Sequence, residues 1–192
     1  MIKDLILKNR SYRRFYEEEP VSEETLRNLV DLARLSASGG NKQPLKYILS
    51  WNAEMNSRIF KCLAWAAYFK DWSGPMEGER PAAYIVILGD NEISRNIDCD
   101  HGIASQSILL GATELGLGGC IIHSVNHEKL RSELKIENKY EIKLVIALGK
   151  PKEVVIIEEL VRDGDFKYWR DSNENHHVPK RLLGEIIINN KA

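Results

Sequence analysis

Eight successive residues, Ala82-Ala83-Tyr84-Ile85-Val86-Ile87-Leu88-Gly89, carry no charge and follow no apolar–polar alternation. The run has the length and β-branched content of a strand, and with apolar side chains on both faces it must be covered from above and below. Glu141 to Gly149, closed by Lys150-Pro151, reads as a second strand of the same kind. Two such strands need helices on either side of their sheet, which restricts the chain to a layered fold.

Helices able to do this lie between the strands. Ser22 caps one whose first turn holds Glu23 and Glu24, where negative charge meets the helix dipole. Leu26, Leu29, Val30, Ala33 and Ala37 recur on one face of it. Lys46 to Ser50 reads as a short strand, after which Asn52 caps a helix carrying Met55, Ile59, Leu63 and Ala66 on one side. Trp65, Tyr68, Phe69 and Trp72 cluster at its end, before a turn at Ser73-Gly74-Pro75, and either pack in the core or roof an active site. Asp100 to Gly116 reads as a long helix with small and apolar residues nearly all round, hence one covered on most sides. Cys120 to Ser124 reads as a strand, and Asn126 caps a helix through Leu134. Glu185 to Asn189 reads as a terminal strand whose isoleucines must complete a sheet or cross to a partner subunit. The order of elements predicts an α+β fold, α/β layered, in a single domain spanning 1–192. The least regular stretch, Asp163 to Pro179, is too short to divide it.

A formal net charge of −1 argues against nucleic-acid binding, which needs a strong basic field, yet leaves room for a local anion site. No apolar run is long enough to span a bilayer, and Met1-Ile2-Lys3-Asp4 does not open a secretory signal. Three cysteines make no disulfide framework, and the cytoplasm is the expected compartment.

Two stretches carry chemistry. Asn9-Arg10-Ser11-Tyr12-Arg13-Arg14-Phe15 sets three guanidinium groups around a hydroxyl, and arginine's planar fork of donors matches phosphate oxygens two at a time. Ala37-Ser38-Gly39-Gly40-Asn41-Lys42-Gln43-Pro44 offers backbone and side-chain amides to a flat polar ring. Together they point to a phosphorylated ring cofactor; a solvated basic turn and a plain Gly-Asn turn are the alternatives. Cys99-x-His101 and Cys120-x-x-His123 have zinc-ligand residue types. The first pair opens a helix and the second is split by strand alternation, so no metal site is expected, and the cysteines read as small buried hydrophobes.

These motifs, in order, resemble the FMN-dependent nitroreductase superfamily over nearly the whole chain. The resemblance rests on Asn9 to Phe15, Ser36 to Pro44, Leu115-Gly116-Leu117-Gly118-Gly119-Cys120, Ala147-Leu148-Gly149-Lys150-Pro151, and the late basic segment Pro179-Lys180-Arg181. The sequence departs from the pattern at Asn9, where arginine is common, and at Ala37 and Gly39, which replace a proline and a serine.

The resemblance implies a central mixed sheet flanked by helices, with the C-terminal strand exchanged with the partner of an obligate homodimer. It implies FMN at the dimer interface. Arg10, Ser11, Arg13, Lys180 and Arg181 would hold the phosphate, and Arg14 would face solvent or a carboxylate among Glu17, Glu18 and Glu19. Ser38, Gly39 and Asn41 would reach the flavin across the interface, and Gln43 would either bond the pyrimidine edge of the flavin or tie down its own loop. His123 and Ser124 would run beside the reactive edge of the ring, where the Ser124 N–H stabilises negative charge; His123 has no acid–base role, and no side chain is assigned as catalytic. NADH or NADPH would reduce the flavin and a nitroaromatic, quinone or similar small acceptor reoxidise it in a ping-pong cycle. Reductive dehalogenation and a non-catalytic flavin carrier or sensor are the alternatives.

Overall fold

The computed structural model describes residues 1–161 and 164–188. In chain order the elements are α1 (Ile2–Lys8), β1 (Phe15–Tyr16), α2 (Glu23–Arg34), β2 (Leu45–Ser50), α3 (Ala53–Phe60), β3 (Ala83–Asp90), α4 (Asp100–Glu114) and β4 (Gly118–Ile122). They continue with α5 (His127–Leu134), β5 (Tyr140–Pro151), β6 (Val155–Glu159), β7 (Trp169–Arg170), β8 (His176–Lys180) and α6 (Leu183–Ile186). Ser22, Asn52 and Asn126 cap α2, α3 and α5, their side chains accepting from the backbone N–H groups of Thr25, Met55 and Lys129.

Every residue of β3 is buried. It pairs antiparallel with β2 on one edge and β5 on the other. The far edge of β5 pairs antiparallel with β4 and then with β1. A parallel bridge between Ser11 and Gly119 beside these ladders makes the central sheet mixed. Side chains alternate between two cores. Ile85 and Ile87 join Leu144, Ile146 and Leu148 against α2 and α4, while Tyr84, Val86 and Leu88 join Ile142, Val145 and Ala147 against α3 and α5. The register shifts between Ile87 and Leu88, whose partners are Leu144 and Ile142, leaving Lys143 as the extra residue of a bulge. That extra residue keeps Ile142 and Leu144 on opposite cores. Where α2 crosses α4, Gly111 admits Leu32; a Cβ there would stand 2.3 Å from its Cδ1.

Some expectations fail for local reasons. The helix after Asn52 stops at Phe60 rather than running to Ala66, because Leu63 bridges Val125 and Ala66 turns the chain at φ +39°. Trp65 to Trp72 therefore form an aromatic loop beyond the helix, with Trp65 buried and Tyr68 packed on Tyr168 at 4.8 Å. The strand expected from Cys120 to Ser124 lies earlier, at Gly118–Ile122, leaving His123 and Ser124 beyond its end. The C-terminal run is no strand either. Glu185 N–H donates to the Leu182 carbonyl at 3.0 Å and Leu183–Ile186 coil into a helical turn. Among the described residues no strand pairs with this run, and the Leu182–Glu185 bond meets part of its backbone locally; its expected last residue, Asn189, lies outside the described residues. A second, three-stranded sheet went unforeseen: β6 runs parallel to β8, which pairs antiparallel with β7.

Arg14 finds Glu79 rather than Glu17, Glu18 or Glu19. Its Nε and Nη2 donate to the two carboxylate oxygens at 2.7 and 2.8 Å, and Lys152 Nζ adds a contact at 3.1 Å. The hydrogen bonds from Arg14, with help from Lys152, pull the Glu79 carboxyl down to about 2 from the ordinary 4.5. The pairing therefore stabilises the fold above about pH 4.5 and is lost as pH falls toward 2. Glu79→Gln should cost about 2 kcal/mol at neutral pH, and denaturant unfolding of the two proteins should converge as the solution is acidified. A pH-independent difference would contradict this account.

Candidate functional site

The segment after α1 lies unusually close to the sheet. Tyr12 N–H donates to the Gly119 carbonyl at 3.0 Å, beside the Ser11–Gly119 bridge. Two glycines permit the approach. A Cβ on Gly118 would stand 2.5 Å from the Tyr12 ring, and one on Gly119 would stand 2.6 Å from the Ala147 carbonyl oxygen. The Leu-Gly-Leu-Gly-Gly run is thus a seat for the arginine segment.

Arg13 is almost fully buried. Its backbone N–H donates to the Glu153 carboxylate, its Nη1 to the Ser11 carbonyl at 3.2 Å, and its guanidinium lies 4.6 Å over the Tyr168 ring. Arg170 Nη2 holds the other Glu153 oxygen at 3.1 Å, and the Glu153 side chain has no exposed surface. Arg10 donates from Nη2 to the Ile6 carbonyl at 2.6 Å, while its buried Nε has no partner. Burial, partly offset by Tyr12, lowers the pKa of Arg10.

These groups border a crevice of about 230 Å³. Asn9, Arg10, Ser11 and Arg13 form one wall, and Gln106 and Leu109 of α4 with Ile121 of β4 form the floor. Tyr168 and the alternate residues His176, Val178 and Lys180 of β8 close the other side. Residues 170 apart in sequence thus bring Arg10, Arg13 and Lys180 to one concavity, whose buried counter-charge is Glu153. Such a set suits a compact anion. Burial first, then the positive charges of Arg13 and Arg170, hold the His176 imidazole down to about 3, so it is neutral at physiological pH.

The Ser38 loop belongs to a different pocket. Ser38 Oγ donates to Asp100 Oδ2 at 2.6 Å, Gly39 N–H donates to Oδ1 at 2.9 Å, and Gln43 N–H donates to Ser38 Oγ at 2.9 Å. Gln43 Nε2 turns back on Asn41, donating to its carbonyl and side-chain oxygens at 3.2 Å each. Gly40, Asn41 and Gln43 all have positive φ, a conformation Gln43 adopts at a cost this web of bonds offsets. Ser38, Gln43, Tyr47 and Asp100 line a pocket of about 150 Å³. Burial, with Asp100 nearby, pushes the Tyr47 phenol up to about 12.

The motif residues therefore divide. Arg10, Ser11, Arg13 and Lys180 meet in the crevice, and Ser38, Gly39, Asn41 and Gln43 gather at Asp100. His123 and Ser124 are exposed past the end of β4 and do not line the crevice, and the Ser124 carbonyl accepts from Ala64 N–H at 2.9 Å. Arg181, one residue past β8, is exposed and also outside the lining. Among the described residues no three metal-ligating side chains gather. Sequence reasoning missed Glu153, Tyr168, His176 and Asp100, of which only Asp100, an acid at a helix N-terminus, leaves a local signal.

The Nitroreductase family model matches residues 6–150. An Archaeoglobus fulgidus protein named "Putative NADH dehydrogenase/NAD(P)H nitroreductase" is 27% identical over 150 residues, which cover 73% of this chain and 80% of that one. The crystal structure of a nitroreductase family protein from Clostridium novyi NT superposes with a TM-score of 0.66 at 25% identity, covering 79% of this chain and 86% of the other. An FMN-dependent nitroreductase from Clostridium difficile R20291 shares the fold over 98% of both chains, with a TM-score of 0.67 at 24% identity.

The Asp100 carboxylate fixes the Ser38 loop through two charge-assisted hydrogen bonds. Asp100→Ala should speed amide exchange at Gly39 roughly ten- to a hundredfold while leaving β3 and β5 protected. Unchanged exchange at Gly39 would show that the loop is held by other means.

Proposed function

The chain belongs to the nitroreductase family, and from that premise we propose that it is an FMN-dependent oxidoreductase using NADH or NADPH. The observation that carries this reading is the convergence of Arg10, Ser11, Arg13 and Lys180 on one crevice. The residues fit the phosphate end of FMN. A dianion needs several fixed donors, and the buried Arg10 Nε has no partner among the described residues.

Arg10 and Lys180 bring charge to the phosphate from opposite walls, and Ser11 adds its hydroxyl. Arg13 is aimed before any ligand arrives, because Glu153 holds its backbone and Tyr168 covers its guanidinium plane. Preorganisation of this kind lowers the cost of ordering on binding. The floor at Leu109 and Ile121 is apolar and leads along β4 toward Ser124, whose N–H is the proposed donor to the ring edge. Bound FMN would supply the redox chemistry between the reduced nicotinamide and a nitroaromatic, quinone or similar flat acceptor, the two reacting in alternate half-reactions. No side chain is asked to act as nucleophile.

The proposed assembly is a homodimer in which a second copy brings its Ser38–Gln43 loop to this crevice. Apolar side chains left exposed on α1 and around α6, among them Ile2, Leu7, Leu183, Ile186 and Ile188, support a surface covered by another copy.

Purified protein is expected to be yellow, to release FMN on denaturation, and to be bleached by NADH or NADPH. Arg10→Ala should weaken FMN binding about ten- to a hundredfold, read by quenching of flavin fluorescence. Colourless protein that takes up no added FMN would overturn the reading.

A further inference from the structure

We propose that His176 is a ligand of the cofactor phosphate, donating to it from Nε2. The proposal rests on the reading of the crevice as the FMN phosphate site.

The tautomer follows from its neighbour. Arg13 Nη1 lies 3.5 Å from His176 Nδ1, and a guanidinium has donors only. Nδ1 must therefore present its lone pair, and the ring proton sits on Nε2. Glu153 does not claim Nδ1, since its nearer oxygen is 3.9 Å away, beyond hydrogen-bond reach.

Nε2 is buried and has no hydrogen-bond partner among the described residues. Phe69 and Tyr168 enclose the imidazole edge-on at 5.6 and 5.2 Å, and the Tyr168 hydroxyl accepts from Tyr68 N–H at 3.4 Å rather than from the imidazole. A buried donor left unpaired is costly, and native structures rarely keep one without a ligand or water to meet it. The ring borders the crevice on the same face of β8 as Val178 and Lys180, because strand alternation sends every second side chain there. The acceptor for which this crevice is built is an anion.

A neutral donor has a distinct value beside three cations. It adds a hydrogen bond without a further positive charge, which the burial of Arg13 and His176 would make expensive. It also keeps its proton on Nε2 as pH changes near neutrality, so its bond to the phosphate does not switch.

Apo-protein titrated with FMN and with riboflavin tests this, because the two ligands differ only in the phosphate. His176→Phe and His176→Asn, neither of which carries a donor to the Nε2 position, should weaken FMN binding about ten- to a hundredfold and leave riboflavin binding unchanged. His176→Gln, whose side-chain amide nitrogen reaches that position, should restore FMN affinity to within about threefold of wild type. Thermal melts of each variant check that the fold is intact. Equal loss of both flavins would mark His176 as a packing residue and overturn the proposal. So would FMN affinity unaffected by the Phe and Asn variants. Wild-type protein that binds neither flavin would instead overturn the underlying reading of the crevice, and this proposal with it.

Discussion

The central constraint is the burial of β5 on both faces while it serves as pairing partner for three other strands. From Leu144 to Gly149 it exposes almost nothing, and it carries β3 on one edge and β4 and β1 in succession on the other. An apolar strand of this kind is stable only if both layers of helices are present, so α2 with α4 and α3 with α5 follow from it. The bulge at Lys143 then sets which side chains meet which layer. The same strand fixes how closely the chain near Ser11 can approach, since Gly119 sits against the Ala147 carbonyl. The crevice is a consequence of that close approach.

Charge is organised by two neighbouring residues at the end of β5. Lys152 reaches Glu79, joining the network that includes Arg14, whereas Glu153 turns inward to Arg13 and Arg170. Successive residues of extended chain point to opposite sides, so one short connection serves two ionic clusters. The outer cluster fastens β1. The inner one places a carboxylate behind the cations of the crevice. A buried charge without a partner is heavily penalised, and Arg170 supplies the Glu153 carboxylate with one while Glu153 in turn holds the Arg13 backbone in place. Glu153 is thus a positioning residue, two bonds removed from any ligand.

What the sequence disclosed followed from how local the physics was. β3 and β5 announce themselves as apolar, β-branched runs, uncharged over 82–89 and 144–149, and the caps of α2, α3 and α5 are single-residue signals met by observed hydrogen bonds. The aromatic loop misled because Trp65, Tyr68, Phe69 and Trp72 have helical spacing, and the tertiary bridge from Leu63 to Val125 together with the reversal at Ala66 removes them from a helix. The small sheet was illegible for a different reason. β6 and β8 are short, half-exposed and paired in parallel across an irregular connection, which no period-2 pattern reveals. Arg10, Ser11 and Lys180 could be grouped from the sequence because the family's motif order implies that they share a site, and they line one crevice. Glu153, Tyr168 and His176 were not, because each acquires its meaning from a tertiary neighbour.

The C-terminal residues connect these points. Three isoleucines in a row favour a strand, yet a strand that joins no sheet leaves its N–H and C=O groups unpaired, and among the described residues this run pairs with none. A helical turn at Leu183–Ile186 satisfies part of the backbone but leaves Leu183, Ile186, Ile187 and Ile188 exposed. The motif residues show the same incompleteness. One group stands at the crevice proposed for the phosphate and the other at Asp100. In the proposed homodimer a second copy would lay its Ser38–Gln43 loop against the first and cover the exposed apolar surface. The crevice would then be closed by the same contact that buries the terminal isoleucines, so cofactor binding and assembly would depend on one another.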